Sequence, residues 1–245
     1  MTTNDLSART AATRARIYAK LKTALKDGPP QAARRAHVAA RLATPPAHLR
    51  PARIAVDRAH LRALFRSYLE GQSATVLDVA STASVPSTIA QYLRANNLPQ
   101  RVRTGSDVYL GALPWSAEPT LLRDTGAAVG TDEVGLSHAF AAVAETGTLV
   151  LVSGADNPVT LNFVPETHIV IIDDGDLVGP YDDVWPKLRE RFGTGLMPRT
   201  VNFISGPSRT ADIAGTLVTG AHGPRRLCVV LVASPTRDSP RSAPP

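Results

Sequence analysis

Cysteine is almost absent from these 245 residues: Cys228 stands alone. No intrachain disulfide can form, and neither an iron–sulfur cluster nor a cysteine-rich zinc site can be assembled from this chain by itself. Cys228 lies in the strand-like run Arg226-Leu227-Cys228-Val229-Val230-Leu231-Val232. It reads as a small buried hydrophobe, not as a nucleophile. Long apolar runs are also missing, since none approaches the roughly 18–20 residues that span a bilayer. The first residues, Met1-Thr2-Thr3-Asn4-Asp5, are polar and lack a signal-peptide apolar region, so a cytoplasmic location is the default expectation. Nor is there a G-x-G-x-x-G after a strand, a G-x-x-x-x-G-K-[ST] loop, an H-E-x-x-H or a G-x-S-x-G elbow. The six histidines are scattered without a pair at metal-ligand spacing. These absences exclude a standard nucleotide-binding loop and an obvious metallohydrolase.

What is present is ordinary for a globular protein, with 43% hydrophobic and 20% charged residues. The net charge of +6 hides an asymmetry. Residues 1–70 hold 14 Lys/Arg against 4 Asp/Glu, and residues 71–245 hold 13 against 17. The basicity thus sits in an N-terminal arm above a mildly acidic core. Its cations are spread over predicted helices, with no interleaved aromatic platform and no recognition-helix signature. Nucleic acid is therefore not the expected partner; a solvated or partner-facing arm is.

Three parts are expected: a basic helical extension (1–54), an α/β domain (55–233) and a disordered Pro/Ser-rich tail (234–245). Residues 7–27 and 31–43 predict helices, each too poor in large apolar side chains to fold alone. Leu61, Leu64, Phe65, Tyr68 and Leu69 predict an amphipathic helix over 57–71. A strand over 74–79, a helix from Val85 to Leu93 and a short strand at 101–103 follow. Helix and strand alternating in this way point to a parallel sheet. Residues 104–125 read as irregular, and Ala127 to Val129 and Val134 to Leu136 as short strands. Further strands are expected at Leu149–Val152, His168–Ile172 and Leu227–Val232, with a helix over 181–192 that tolerates Pro186 only in its first turn.

Several stretches carry chemistry. Thr200 to Ile204 reads as a strand that breaks at Ser205-Gly206-Pro207-Ser208, with Thr210 as the N-cap of a following helix. Strand, small-residue loop and helix start form a common anion site, to which Arg209 adds a guanidinium. The alternative is a capped turn with a surface arginine. Glu145 sits between apolar runs before Thr146-Gly147-Thr148. It is either a nucleophilic or acid–base carboxylate or one satisfied by backbone N–H groups at a turn. His222, in Gly220-Ala221-His222-Gly223-Pro224-Arg225-Arg226, offers an acid–base group beside cationic anion clamps, or simply a surface loop. Pro165-Glu166-Thr167-His168 places polar groups at a sheet end, where a structural role is the simpler reading.

In this order, Glu145-Thr146-Gly147-Thr148-Leu149-Val150-Leu151, Pro165-Glu166-Thr167-His168-Ile169, the stretch from Asn202 to Ile213 and Gly220-Ala221-His222-Gly223-Pro224 resemble the lactate-utilisation (LUD) domain family, specifically lactate utilisation protein C. The resemblance covers roughly residues 55–233 and departs from the family's pattern at Ala214, where an acidic residue usually follows Ala-Asp-Ile. It implies an α/β fold with a central, mostly parallel sheet flanked by helices, similar to the sugar-phosphate isomerase and CoA-transferase class. It also implies a part in oxidising L-lactate to pyruvate beside iron–sulfur partner proteins, with no cofactor on this chain. On that reading a small carboxylate binds near Thr146, Gly147, Thr148, Ser205, Gly206, Ser208, Arg209, Thr210, Asp212 and Arg225, with Glu145 and His222 as candidate catalytic groups. The pocket is expected at the carboxyl end of a central strand. A stand-alone enzyme of the CoA-transferase or formyltetrahydrofolate cyclo-ligase type, using Glu145, is the alternative. A third reading is an interaction protein working through its basic arm.

Overall fold

In the computed structural model, which describes residues 3–26, 29–44, 49–193, 195–213 and 216–233, residues 1–48 and 49–245 form two separate units. The first contains helices α1 (Thr3–Lys26) and α2 (Gln31–Ala43). Ile17, Tyr18, Leu21 and Leu25 of α1 are all at least half exposed, and α2 buries no residue. No helix among the described residues is long and apolar enough to cross a membrane.

In the second unit, α3 (Arg58–Gly71) starts at Asp57, whose carboxylate accepts the His60 N–H at 2.9 Å. There follow β1 (Thr75–Val79), α4 (Val85–Ala95), β2 (Arg101–Thr104), α5 (Val108–Ala112), β3 (Leu122–Thr125), β4 (Val134–His138), β5 (Ala141–Val143), β6 (Thr148–Val152), β7 (Thr167–Asp173), β8 (Leu177–Val178), α6 (Val184–Phe192), β9 (Val201–Ile204), β10 (Arg209–Ile213), β11 (Thr216–Thr219) and β12 (Arg226–Val232). The expected parallel sheet is there. Six strands pair in the order β1-β12-β7-β4-β2-β3, all parallel. A second sheet runs β8-β5-β6-β9, and β10 and β11 form a separate antiparallel pair.

The layering follows from period-two side chains. Ile169 and Ile171 of β7 and Cys228, Val230 and Val232 of β12 pack with α4 and α5 on one face of the central sheet. Val170, Ile172, Leu227, Val229 and Leu231 point the other way, onto Phe65 and Leu69 of α3 and onto Ala142, Leu149 and Leu151. The second sheet is itself two-faced, for Ala141, Val143, Val150 and Val152 meet Val184 and Leu188 of α6. This explains the unbroken apolar run from Ala139 to Ala144, small apart from Phe140: a strand buried on both faces loses its alternation. Burial pushes the Cys228 thiol pKa far up, as expected of an inert thiol.

Some expectations fail. Thr210 caps no helix: it pairs with Val218 in the β10–β11 hairpin. The β-branched residues of both arms, Thr210, Ile213, Thr216, Val218 and Thr219, favour pairing over a local cap. Residues 104–125 are not irregular throughout, since they contain α5 and β3; Asp107 caps α5 by accepting the Leu110 N–H at 2.9 Å. Residues 127–129 are not a strand; the Ala128 N–H is taken instead by the Thr160 hydroxyl at 2.9 Å. Pro186 does fall in the first turn of α6. Ala214 and the tail from Ser234 lie outside the described residues.

Candidate functional site

A cavity of about 270 Å³ lies between the Ser205–Arg209 loop, the His222–Pro224 loop and the start of β7 and β12. Its position corrects the expectation of a carboxyl-end pocket. The Ser205 loop does follow the carboxyl end of a strand, but that strand is β9, at the edge of the second sheet. The cavity instead meets the central sheet at its amino-terminal side, through His168 and Leu227. With β10 in place of a helix, no helix dipole reaches the loop.

The floor is polar and buried. His168 is 1% exposed, and burial pulls its imidazole down to a pKa of about 3, so the ring is neutral. Its Nε2 is 3.0 Å from the Ser137 hydroxyl, and Ser137 Oγ donates to Asn162 Oδ1 at 3.5 Å. With its hydrogen committed to Asn162, Ser137 accepts from Nε2–H, which leaves His168 Nδ1 as a bare acceptor. Nδ1 has no partner, and neither has the Asn162 amide nitrogen, although both are buried. Buried polar atoms are rarely left so.

The rim comes from the predicted loops. Ser208 N–H donates to the Pro224 carbonyl at 2.9 Å, Gly220 N–H to the Ser208 carbonyl at 2.9 Å, and His222 N–H to Ser208 Oγ at 3.3 Å. These bonds tie the two loops into one wall. Arg209 extends from it and donates to the Ser73 hydroxyl. Ser205, Gly206, Ser208, Arg209 and His222 therefore share one cavity. Glu145, Thr146, Gly147, Thr148, Thr210 and Arg225 do not line it. Glu145 is held 3.1 Å from Arg53, and its N–H donates to the Gly179 carbonyl at 3.0 Å. Thr146 and Thr148 connect to the cavity indirectly. Their hydroxyls are 2.7 Å apart, both reach the Tyr181 hydroxyl, and Thr148 is 2.7 Å from Ser205 Oγ. Gly147 packs on α3, Thr210 sits in β10, and Arg225 is exposed with its stem against Gly220. The side chain of Asp212 lies outside the described residues. No group of His, Cys, Asp or Glu among the described residues could hold a metal ion.

Comparison with known proteins settles the lineage. The sequence profile of the LUD domain matches residues 54–232. The chain belongs to the LUD domain family. Its LUD domain is similar to Lactate utilization protein C of Halalkalibacterium halodurans (39% identity over 101 residues, 41% of this chain and 44% of that protein). It is similar also to Lactate utilization protein C of Shouchella clausii (36% over 100 residues, 41% and 44%) and of Bacillus subtilis (34% over 101 residues, 41% and 42%). The matched region thus spans less than half the length of these relatives. The crystal structure of a DUF162 family protein from Deinococcus radiodurans shares the fold, with a TM-score of 0.52 at 23% identity over 72% of this chain and 99% of that one.

Two groups in this LUD domain escaped sequence reasoning. His168 was visible as a polar residue opening an apolar strand, yet one turn of context favoured structure over chemistry. His138 gave no signal at all. It ends β4 with Nδ1 3.6 Å from Asp107 and Nε2 3.6 Å from Asp173, stacked at 4.0 Å on Tyr109, whose hydroxyl donates to Asp173 at 3.0 Å. Burial lowers the His138 pKa, but the two carboxylates outweigh it and raise it to about 9. A folded-state pKa above the unfolded value of 6.5 gives stability that is fully present below pH 6.5 and lost as pH rises through 9. His138→Gln should therefore flatten the alkaline limb of a urea-unfolding series between pH 6 and 9.5, a limb worth on the order of 2–3 kcal/mol. Equal slopes in both proteins would contradict this.

Proposed function

We propose that this LUD domain chain binds a small 2-hydroxy acid, L-lactate, and serves lactate oxidation as the substrate-handling, non-redox member of an iron–sulfur system. The observation that carries the reading is the unpartnered pair in the cavity floor. His168 Nδ1 is a neutral acceptor matched to a hydroxyl hydrogen, and the Asn162 amide is a donor matched to an oxygen. At the rim, Arg209 and the Ser205 and Ser208 hydroxyls suit a carboxylate. Together they complement the two polar ends of a 2-hydroxy acid. The names of the matched relatives support the same pathway.

Conversion of lactate to pyruvate releases two electrons and two protons. A neutral imidazole whose pKa is held at about 3 positions the hydroxyl by accepting its hydrogen bond, and both protons leave with the two electrons to the partners that carry the oxidant. With one cysteine the chain cannot ligate an iron–sulfur cluster alone, so the electrons leave through cluster-bearing partners. The test is purification from native cells, scored for iron and lactate oxidation. The chain alone should turn nothing over, and the cluster-bearing partners should restore oxidation. Arg209→Gln should weaken lactate about tenfold, the worth of a charge-assisted hydrogen bond. Acyl-CoA or ATP-dependent turnover by the isolated chain, lost in Glu145→Ala, would overturn the reading in favour of a stand-alone enzyme.

A further inference from the structure

A second cavity, of about 190 Å³, lies where β4 ends and against α6. The crevice outside the carboxyl ends of parallel strands is where open α/β sheets place ligands. None of the residues discussed for lactate lines it. His138 closes one side, and Phe140 and Asn157 help form the others. Lys187 and Arg191, one helical turn apart on α6, both present their cations over the Phe140 ring at 5.9 and 5.6 Å. Asp107, Asp156 and Asp176 also line the cavity, so side chains of both signs face it. Lys187 is 2.6 Å from Asp176 and Arg191 3.2 Å from Asp156. All four side chains are 28–51% exposed, and such pairs are weak enough to exchange for a ligand.

Two buried atoms here lack partners. Asn157 is 5% exposed, and its amide nitrogen donates to the Val152 carbonyl at 3.3 Å. That bond fixes the amide so that Oδ1 is an acceptor with nothing to accept. His138 Nε2 is the complementary case. It is buried and lacks a hydrogen bond, with the Asp173 carboxylate 3.6 Å away as an ion-pair partner only. An unpartnered acceptor and an imidazole without a hydrogen bond, in a cavity lined by carboxylates and by two further cations, suit a ligand of both signs. A plain anion would face three carboxylates, and a plain amine would face three cations.

We propose that this cavity binds a small zwitterion of the amino-acid class. Its ammonium donates to Asn157 Oδ1, and its carboxylate sits between His138 and the α6 cations. The claim is independent of the lactate reading, because the two cavities share no residue. The test is calorimetric titration of the full chain with L-alanine, and with propionate and ethylamine, which each lack one charge. L-alanine should saturate a site at least tenfold more tightly than either probe. Arg191→Gln, on a helix surface where it does not threaten folding, should weaken L-alanine at least tenfold, and Asn157→Leu likewise, whereas Arg209→Gln should leave it unchanged. Propionate binding as tightly as L-alanine, no saturable L-alanine binding, or binding indifferent to Arg191→Gln would each overturn the proposal.

Discussion

His168→Leu is expected to lower lactate oxidation by the reconstituted system about tenfold, the worth of a lost substrate hydrogen bond, while leaving the chain no less stable. The two halves of this expectation pull apart what a histidine in a core can mean. If His168 were there for packing, its removal would cost stability and activity together. But it makes one side-chain hydrogen bond, to Ser137, and Ser137 keeps its bond to Asn162 when the ring is gone. The remaining ring nitrogen is unpartnered and fully buried. Leu fills a similar volume and removes an unsatisfied nitrogen, which offsets the lost bond to Ser137. The acid limb sharpens the test. With its pKa held near 3 by burial, below the unfolded 6.5, His168 makes the folded state lose stability as pH falls below 6.5. His168→Leu should remove that loss. Urea unfolding at pH 4.5 and 7 reads it out, and a variant as acid-sensitive as the parent would contradict the account.

Gly147→Ala should be among the most destabilising single changes in the chain, costing about 2–5 kcal/mol. Gly147 has φ +62°, a left-handed conformation that strains any other residue. An added Cβ would also stand 2.6 Å from the Cβ of Tyr68 and 2.9 Å from the Leu69 nitrogen, backbone and near-backbone atoms of α3 that have no room to move. This turn positions Thr146 and Thr148, and the Thr148 hydroxyl reaches Ser205 at the cavity rim, so the damage should spread to lactate affinity. Gly130→Ala is the control, since its Cβ would meet nothing within 4 Å and its backbone is unstrained. Denaturant midpoints of the two variants should separate widely. Similar midpoints would mean that α3 yields to the turn more readily than its packing implies.

Legibility in the sequence followed the range of the interaction. The β7 and β12 runs were readable because a strand buried on both faces is apolar throughout, and α3 because Leu61, Phe65 and Leu69 mark one helical face. In the second sheet β6 and β9 were readable as strands, but β5 was not, since the apolar run from Ala139 to Ala144, small apart from Phe140, carries no period. Thr210 misled because a helix cap and a hairpin arm favour the same residue, and only the partner strand Thr216–Thr219 decides between them. The loops around Ser205 and His222 do meet in one cavity, whereas Glu145, singled out for its place between apolar runs, faces Arg53 instead. Asp107, His138 and Asp173 meet only because β2, β4 and β7 are brought side by side, which no local pattern announces.

The central claim, that the polar cavity floor receives the hydroxyl of a small hydroxy acid, can be read from one nucleus. Nitrogen-15 spectra of histidine-labelled protein, recorded during titration with L-lactate, report directly on His168 Nδ1. The account predicts a free-acceptor shift in the apo chain that moves saturably toward a hydrogen-bonded value as lactate is added, with His37 and His60 unmoved. A His168 resonance that stays fixed while lactate binds, or that is already protonated at Nδ1 without lactate, would contradict it.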